Sequence, residues 1–238
     1  DISTAVPRLC RNVTKWKVSD DRKLVRTFSY IWSVGDLALC ASLCPSDLAE
    51  LIIRMFVDAD WAGDPDSCKS TSGLWIDLYH PPSGRRWQIA WNSRAQSHSA
   101  SSTAEAEVVA FAMGLDSELV YEPEVVISMS AGFRQEGLPI QTLMERLLGV
   151  RLPLQAQVDN DQCIIAVKKG FSKKLRQLQR THRVSLAVVH ELVAEPSQKI
   201  EVVYCPTAEQ LGDSFTKTLN PAQFVAARTA MGLVPIKS

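Results

Sequence analysis

The chain has 238 residues, 46% of them apolar and 22% charged, so a packed core is expected and a disordered polypeptide is not. Twenty-six basic residues cancel twenty-six acidic ones, and overall charge therefore names no partner; only its distribution can. The length suits one generous domain, or one domain with an appendage.

No apolar run approaches membrane-spanning length and no signal peptide opens the chain, so no membrane partner is expected. Six cysteines (Cys10, Cys40, Cys44, Cys68, Cys163 and Cys205) lack a paired spacing, and Cys40-x3-Cys44 has no neighbouring Cys or His to complete a zinc site. Reduced thiols in an intracellular protein, cytoplasmic or nuclear and not secreted, are the expectation. The first residue is Asp1 and not Met, which is expected of a piece of a longer polypeptide.

In chain order, residues 1–50 say least. Leu24, Phe28 and Ile31 recur at helical spacing, with Val25 and Trp32 widening the stripe, after Ser19-Asp20-Asp21 as a helix start. The spacing predicts an amphipathic helix over 22–33 whose Trp and Phe are core residues. The apolar run Leu51-Ile52-Ile53-Arg54-Met55-Phe56-Val57 then reads as a buried strand leading into Asp58-Ala59-Asp60. Alternation puts Asp58 and Asp60 on one face. Carboxylates at the end of a buried strand are costly unless a cation meets them, although Asp is also an ordinary turn opener.

Leu74, Ile76 and Leu78 alternate with Trp75, Asp77 and Tyr79; Pro81-Pro82-Ser83-Gly84 breaks the chain; Trp87, Ile89 and Trp91 alternate again. Three antiparallel strands in a row follow from this pattern. Ser102 with Glu105 three residues on makes a capping box, so a helix begins there with Val108, Phe111, Ala112, Leu115 and Leu119 as its buried stripe. Capping accounts for Glu105. It does not account for Glu107, which sits beside the apolar stripe, though a first-turn glutamate also suits the helix dipole.

From 116 to 152 the pattern is poor: Gly132 and Gly137-Leu138-Pro139 break it, and a short helix is expected over 140–148. Leu154, Ala156 and Val158 alternate as a strand, and Asp159 then stands where a strand hands over to a helix, the edge at which open α/β sheets build sites. A helix N-cap is the competing role for Asp159. Over 168–183 lie Lys168, Lys169, Lys173, Lys174, Arg176, Arg180 and Arg183 with no acidic residue, a local field that favours phosphates over a mixed solvated face. A last strand over 200–204 ends at Cys205-Pro206, and Thr207 with Gln210 opens a helix through about 217. Its apolar side is Ala208, Leu211 and Phe215, which leaves Asp213 facing solvent on the helical wheel.

Val57-Asp58-Ala59-Asp60-Trp61-Ala62-Gly63-Asp64, Lys69-Ser70-Thr71-Ser72-Gly73, Ser102-Thr103-Ala104-Glu105-Ala106-Glu107, Val158-Asp159-Asn160 and the run from Pro206 through Leu211-Gly212-Asp213-Ser214-Phe215-Thr216-Lys217 occur in the order of the ribonuclease H domain of copia-type retrotransposon polyproteins. The chain resembles that family over about residues 54–235. The resemblance implies an α/β, ribonuclease H-like fold: a mixed five-stranded sheet, first three strands antiparallel, flanked by helices. It makes residues 51–238 this domain and residues 1–50 the tail of the connection to a reverse transcriptase. It also implies a catalytic and metal-binding set of Asp58, Glu107, Asp159 and Asp213, with Asp60, Asp64 and Glu105 in structural positions.

Two Mg²⁺ ions, or Mn²⁺, are the implied cofactors, since four oxygen donors suit hard divalent cations. The implied activity is endonucleolytic hydrolysis of the RNA strand of an RNA/DNA hybrid during retrotransposon reverse transcription, with the basic segment on the DNA phosphates and the polymerase portion of the polyprotein as partner. An inactive copy, serving as a nucleic-acid-binding or structural part, is the alternative. Many ribonucleases H carry a His after the last strand; here Cys205-Pro206-Thr207 runs straight on without one.

Overall fold

The computed structural model describes residues 2–64, 67–116 and 136–236. At its centre lie β2 (Ile52–Asp60), β3 (Thr71–His80), β4 (Arg85–Ala95), β5 (Leu154–Val158) and β6 (Ile200–Tyr204), in the spatial order β4-β3-β2-β5-β6. β2 pairs antiparallel with β3, and β3 with β4, whereas β5 joins β2 and β6 in parallel. The expected mixed sheet, with its three leading strands antiparallel and helices around it, is therefore present.

Alternation along β2 divides the core. Ile53, Met55 and Val57 join Val108, Phe111, Ile140, Leu154 and Val189 in the main apolar cluster. That side is covered by α3 (Thr103–Leu115), α4 (Gly137–Leu148), α5 (Asp161–Lys169) and α7 (Leu186–Ala194). Phe56, pointing the other way, packs with Trp75, Leu211, Phe215 and Met231. Here the covering pieces are α8 (Asp213–Thr216) and α9 (Pro221–Ala230).

Three expectations change. Helix α2 (Val18–Ser33) starts four residues before the predicted one, because Asp20 turns back to accept the Lys17 N–H at 3.1 Å. Its Trp32 is 90% exposed and Phe28 63%, so they are not core. The helix rests on one side, with Tyr30 edge-on to Phe224 at 5.6 Å, and turns Val25, Phe28, Ile31 and Trp32 outward. In β3 both faces are covered, so Trp75 and Asp77 are as buried as Leu74 and Ile76. Helix α4 begins at Gly137, where the sequence predicts a break, and stops at Gly149 in the left-handed region. Gly132 and Leu119 lie outside the described residues.

The N-terminal segment is tied to the rest by a ribbon in which β1 (Leu37–Leu39) pairs antiparallel with β7 (Leu233–Pro235), and by α1 (Ala5–Cys10). Among the described residues no helix is long and apolar enough to cross a membrane.

Candidate metal centre

Asp58 sits in the last turnless stretch of β2, wholly buried, opposite Gly73 on β3. That glycine has a steric role. A Cβ there would come within 2.6 Å of the Gly212 carbonyl oxygen and 2.7 Å of the Thr216 methyl, so only a bare backbone lets the chain around α8 lie against the sheet. Thr216 Oγ1, thus brought close, donates to Asp58 Oδ2.

The predicted single helix over 207–217 does not form. A 3₁₀ turn (Thr207–Glu209) ends before Gln210, and α8 starts afresh at Asp213. Gln210, expected as a capping partner, instead turns inward and donates to the Val57 carbonyl at 3.1 Å and the Gln157 carbonyl at 3.3 Å. The break rotates Asp213 from the solvent side of the wheel to a position only 7% exposed.

A helix of four residues cannot satisfy its own carbonyls. In α8 the rest of the chain does so: Thr4 Oγ1 donates to Ser214 O at 2.6 Å, Ser93 Oγ to Phe215 O at 2.6 Å and Arg8 Nη2 to Thr216 O at 3.0 Å. The Phe215 ring stacks on Trp75 at 6.0 Å and anchors the helix in the core.

Asp159 directly follows β5, at the handover from strand to helix as expected, but the cap of α5 is Asn160, whose side chain accepts the Cys163 N–H at 3.0 Å. Asp159 is thereby free of the capping role, and its Oδ2 accepts from Thr207 Oγ1 at 3.2 Å. On α3, Ser102 caps as predicted, while the Glu105 carboxylate takes the Ser101 N–H at 2.8 Å and the Thr181 hydroxyl at 3.0 Å. Glu107, two residues on, is 4% exposed and its Oε2 has no hydrogen-bond partner.

These elements bring one oxygen each of Asp58, Asp159 and Asp213 within 4.8 Å of one another. Glu107 stands beside them, close enough that Asp58 and Asp159 act on its titration. Burial first, then the Asp58 and Asp159 charges, push the Glu107 carboxyl up to about 9. Burial and Asp58 likewise raise Asp213 to about 6 and raise Asp159.

Lys217, not among the residues expected from the sequence, also belongs to this centre. Its ammonium lies 2.8 Å from Asp213 Oδ1 and 3.2 Å from Asp58 Oδ1, the latter an oxygen without an aligned hydrogen bond. Burial opposes the charge, but Asp58 and Asp213 hold this lysine above its ordinary value. The signal was the Asp213–Lys217 spacing of four, the distance that pairs charges on one helical face.

An all-oxygen donor set of three carboxylates from separate elements, with Glu107 outside the group of three, fits Mg²⁺ or Mn²⁺ better than zinc. Asp58 Oδ1 and Glu107 Oε2, buried without hydrogen bonds, are groups that a cation would satisfy. The seven predicted cations are not part of this cluster. Lys168, Lys169, Lys173, Lys174, Arg176, Arg180 and Arg183 are all exposed, the first two in the last turn of α5 and the others on the segment between α5 and α7, which includes α6 (Leu178–Thr181) and which Leu175, Leu178 and Val184 anchor in the core. Its link to the centre is Thr181, which bonds Glu105 on α3, the helix that carries Glu107.

The fold and this centre together describe an α/β protein with an acidic cluster at the end of its central strands. No protein-family profile matches the chain. A retrovirus-related Pol polyprotein from transposon RE1 of Arabidopsis thaliana is 26% identical over 191 residues, 78% of this chain. The chain thus resembles part of a retroelement polyprotein, and it spans about 11% of that relative's length. Among solved structures, a foamy viral protease-reverse transcriptase in complex with dsDNA covers 79% of the chain, itself covered to 95%, at 12% identity and a TM-score of 0.29, too weak a likeness to bear on this fold.

Proposed function

We propose that the protein is a ribonuclease H, hydrolysing the RNA strand of RNA/DNA hybrids at the acidic centre with divalent metal ions. The observation that carries this reading is the convergence of Asp58, Asp159 and Asp213 within 4.8 Å, with the buried Glu107 alongside. Asp58 would lie between two ions, Asp159 and Asp213 would hold the one on the side of the attacking water, and Glu107 the other. When bound, such ions would acidify the water that attacks phosphorus and stabilise the departing 3′ oxygen as the P–O bond breaks.

The chain's own contribution is positional. Buried Asp58, fixed by Thr216, cannot swing away, and Asp159 is steadied by Thr207. Glu107 is the acid to face the 2′-hydroxyl, the group that separates RNA from DNA. The exposed basic segment over 168–183 would take the DNA phosphates without reading sequence. Residues 1–50 would be the end of a polymerase connection, and 51–238 the nuclease domain.

One observation favours the second reading, an inactive nucleic-acid-binding part: the Lys217 ammonium is already paired with two of the carboxylates. Incubation with Mg²⁺ and a labelled hybrid decides between them. Cleavage of the RNA strand that disappears in Asp58→Asn supports the nuclease. Hybrid binding without cleavage supports the inactive copy, and cleavage of duplex DNA would replace both with a different nuclease.

A further inference from the structure

Between α1, α2, α8 and α9 lies a cavity of about 510 Å³, within the size range of ligand sites. Arg8, Lys23, Arg26 and Lys217 line it, and no acidic residue does. Tyr30 and Phe224, edge to face at 5.6 Å, form part of its wall. In a chain of zero formal net charge this is a second concentration of cations, separate from the run over 168–183.

The cations are not equivalent. Lys23 is paired with Asp20 at 2.8 Å, and Arg8 is engaged with Thr216 O at 3.0 Å and Thr218 Oγ1 at 3.1 Å. Arg26 has no hydrogen-bond or ion-pair partner among the described residues, and its side chain is exposed at the cavity. Lys217 belongs both to the cavity wall and to the acidic centre. The cavity therefore adjoins the place where, on the reading above, a phosphodiester is cut.

We infer that this cavity holds an unpaired stretch of nucleic acid continuing from the hybrid next to the scissile position, with Arg26 on a backbone phosphate and the Tyr30–Phe224 pair against a base. The inference rests on the nuclease or nucleic-acid-binding reading. A strand passing the carboxylates must place its neighbouring phosphates on ground of opposite sign, and the cavity supplies that ground within one residue's reach. Aromatic rings beside cations are the combination that holds single-stranded segments irrespective of sequence.

The test is fluorescence anisotropy of the intact chain with a labelled RNA/DNA hybrid carrying a single-stranded overhang in EDTA, where binding is read apart from cleavage, over a range of salt concentrations. Arg26→Ala is expected to weaken binding about fivefold and to reduce the slope of log K against log salt by about 0.7, one phosphate contact on a single strand. Arg22→Ala, on the same helix but outside the cavity lining, should change neither. Phe224→Leu should weaken binding and leave the salt slope as it was, a signature that loss of a charge cannot give. Equal behaviour of the Arg26 and Arg22 variants, whether both unchanged or both weakened, overturns the cavity assignment and leaves the nuclease reading intact. Failure of the wild-type chain to bind any nucleic acid overturns both.

Discussion

Asp58 and Asp77 are both wholly buried on adjoining strands of one sheet, yet their surroundings are opposite. Asp77 receives a two-pronged guanidinium from Arg54, at 2.9 and 2.6 Å, and Arg54 is itself sandwiched with its carbon 3.7 Å from the Tyr79 ring centre. Asp47 is closed off in the same way by Arg85, which holds its carboxyl down at about 2. At Asp58 the cluster of acids has a single ammonium, Lys217, and two of its buried oxygens lack hydrogen bonds. Where this fold wants a carboxylate silent it supplies an arginine; at the ends of β2 and β5 it leaves negative charge uncompensated, as a site that takes up cations requires.

Four substitutions break or sharpen that contrast. Asp58→Asn should lower hybrid cleavage by about 10⁴-fold, or about 5 kcal/mol in transition-state stabilisation, in initial-rate assays. Its circular dichroism should stay that of the wild type, since the asparagine can keep the Thr216 bond. Arg54→Ala acts on the other member of the comparison and should cost about 3–5 kcal/mol in urea unfolding, because it strands Asp77 in the core, and should not act on the chemistry.

Glu107→Gln should do the reverse for stability. In metal-free protein, folded Glu107 keeps its proton up to about 9, whereas the unfolded chain loses it near 4.5. The folded state binds more protons across that window, so stability falls as pH rises through it. The glutamine variant should flatten this slope and be about 1–3 kcal/mol more stable at its alkaline end, with cleavage lost. The smallest effect is expected of Lys217→Met: about tenfold tighter Mn²⁺ binding by calorimetry, as the internal competitor is gone, with about 1 kcal/mol less stability in EDTA. Weaker Mn²⁺ binding would instead make Lys217 a support of the site.

The sheet was legible because its strands carry strong local signals: the apolar run into Asp58, the Pro81-Pro82-Ser83-Gly84 turn, the alternation over 154–158. Ser102 announced α3 for the same reason. What escaped was set by tertiary contacts. A wheel drawn over 207–217 turned Asp213 to solvent because it could not know that Gln210 would abandon the helix for two carbonyls of β2 and β5. Periodicity in 22–33 marked an apolar stripe correctly but could not say whether anything would cover it. Asp159 looked as much a cap as a ligand until Asn160 took the capping bond.

Two carbonyls of α8 are met from far back along the chain: Thr4 reaches Ser214 across a separation of 210 residues, and Arg8 reaches Thr216 across 208. During synthesis, then, Asp58, Glu107 and Asp159 can approach one another well before the piece that bears Asp213 and Lys217 has left the ribosome, and α1 must wait for it with its donors unspent. Closing so long a loop is slow but adds little entropy beyond that of a loop half its size. A nascent chain that has not yet passed residue 212 would thus carry three acids without their ammonium, and the stretch over 213–217 both brings that charge and takes the bonds that hold Thr4 and α1 against it.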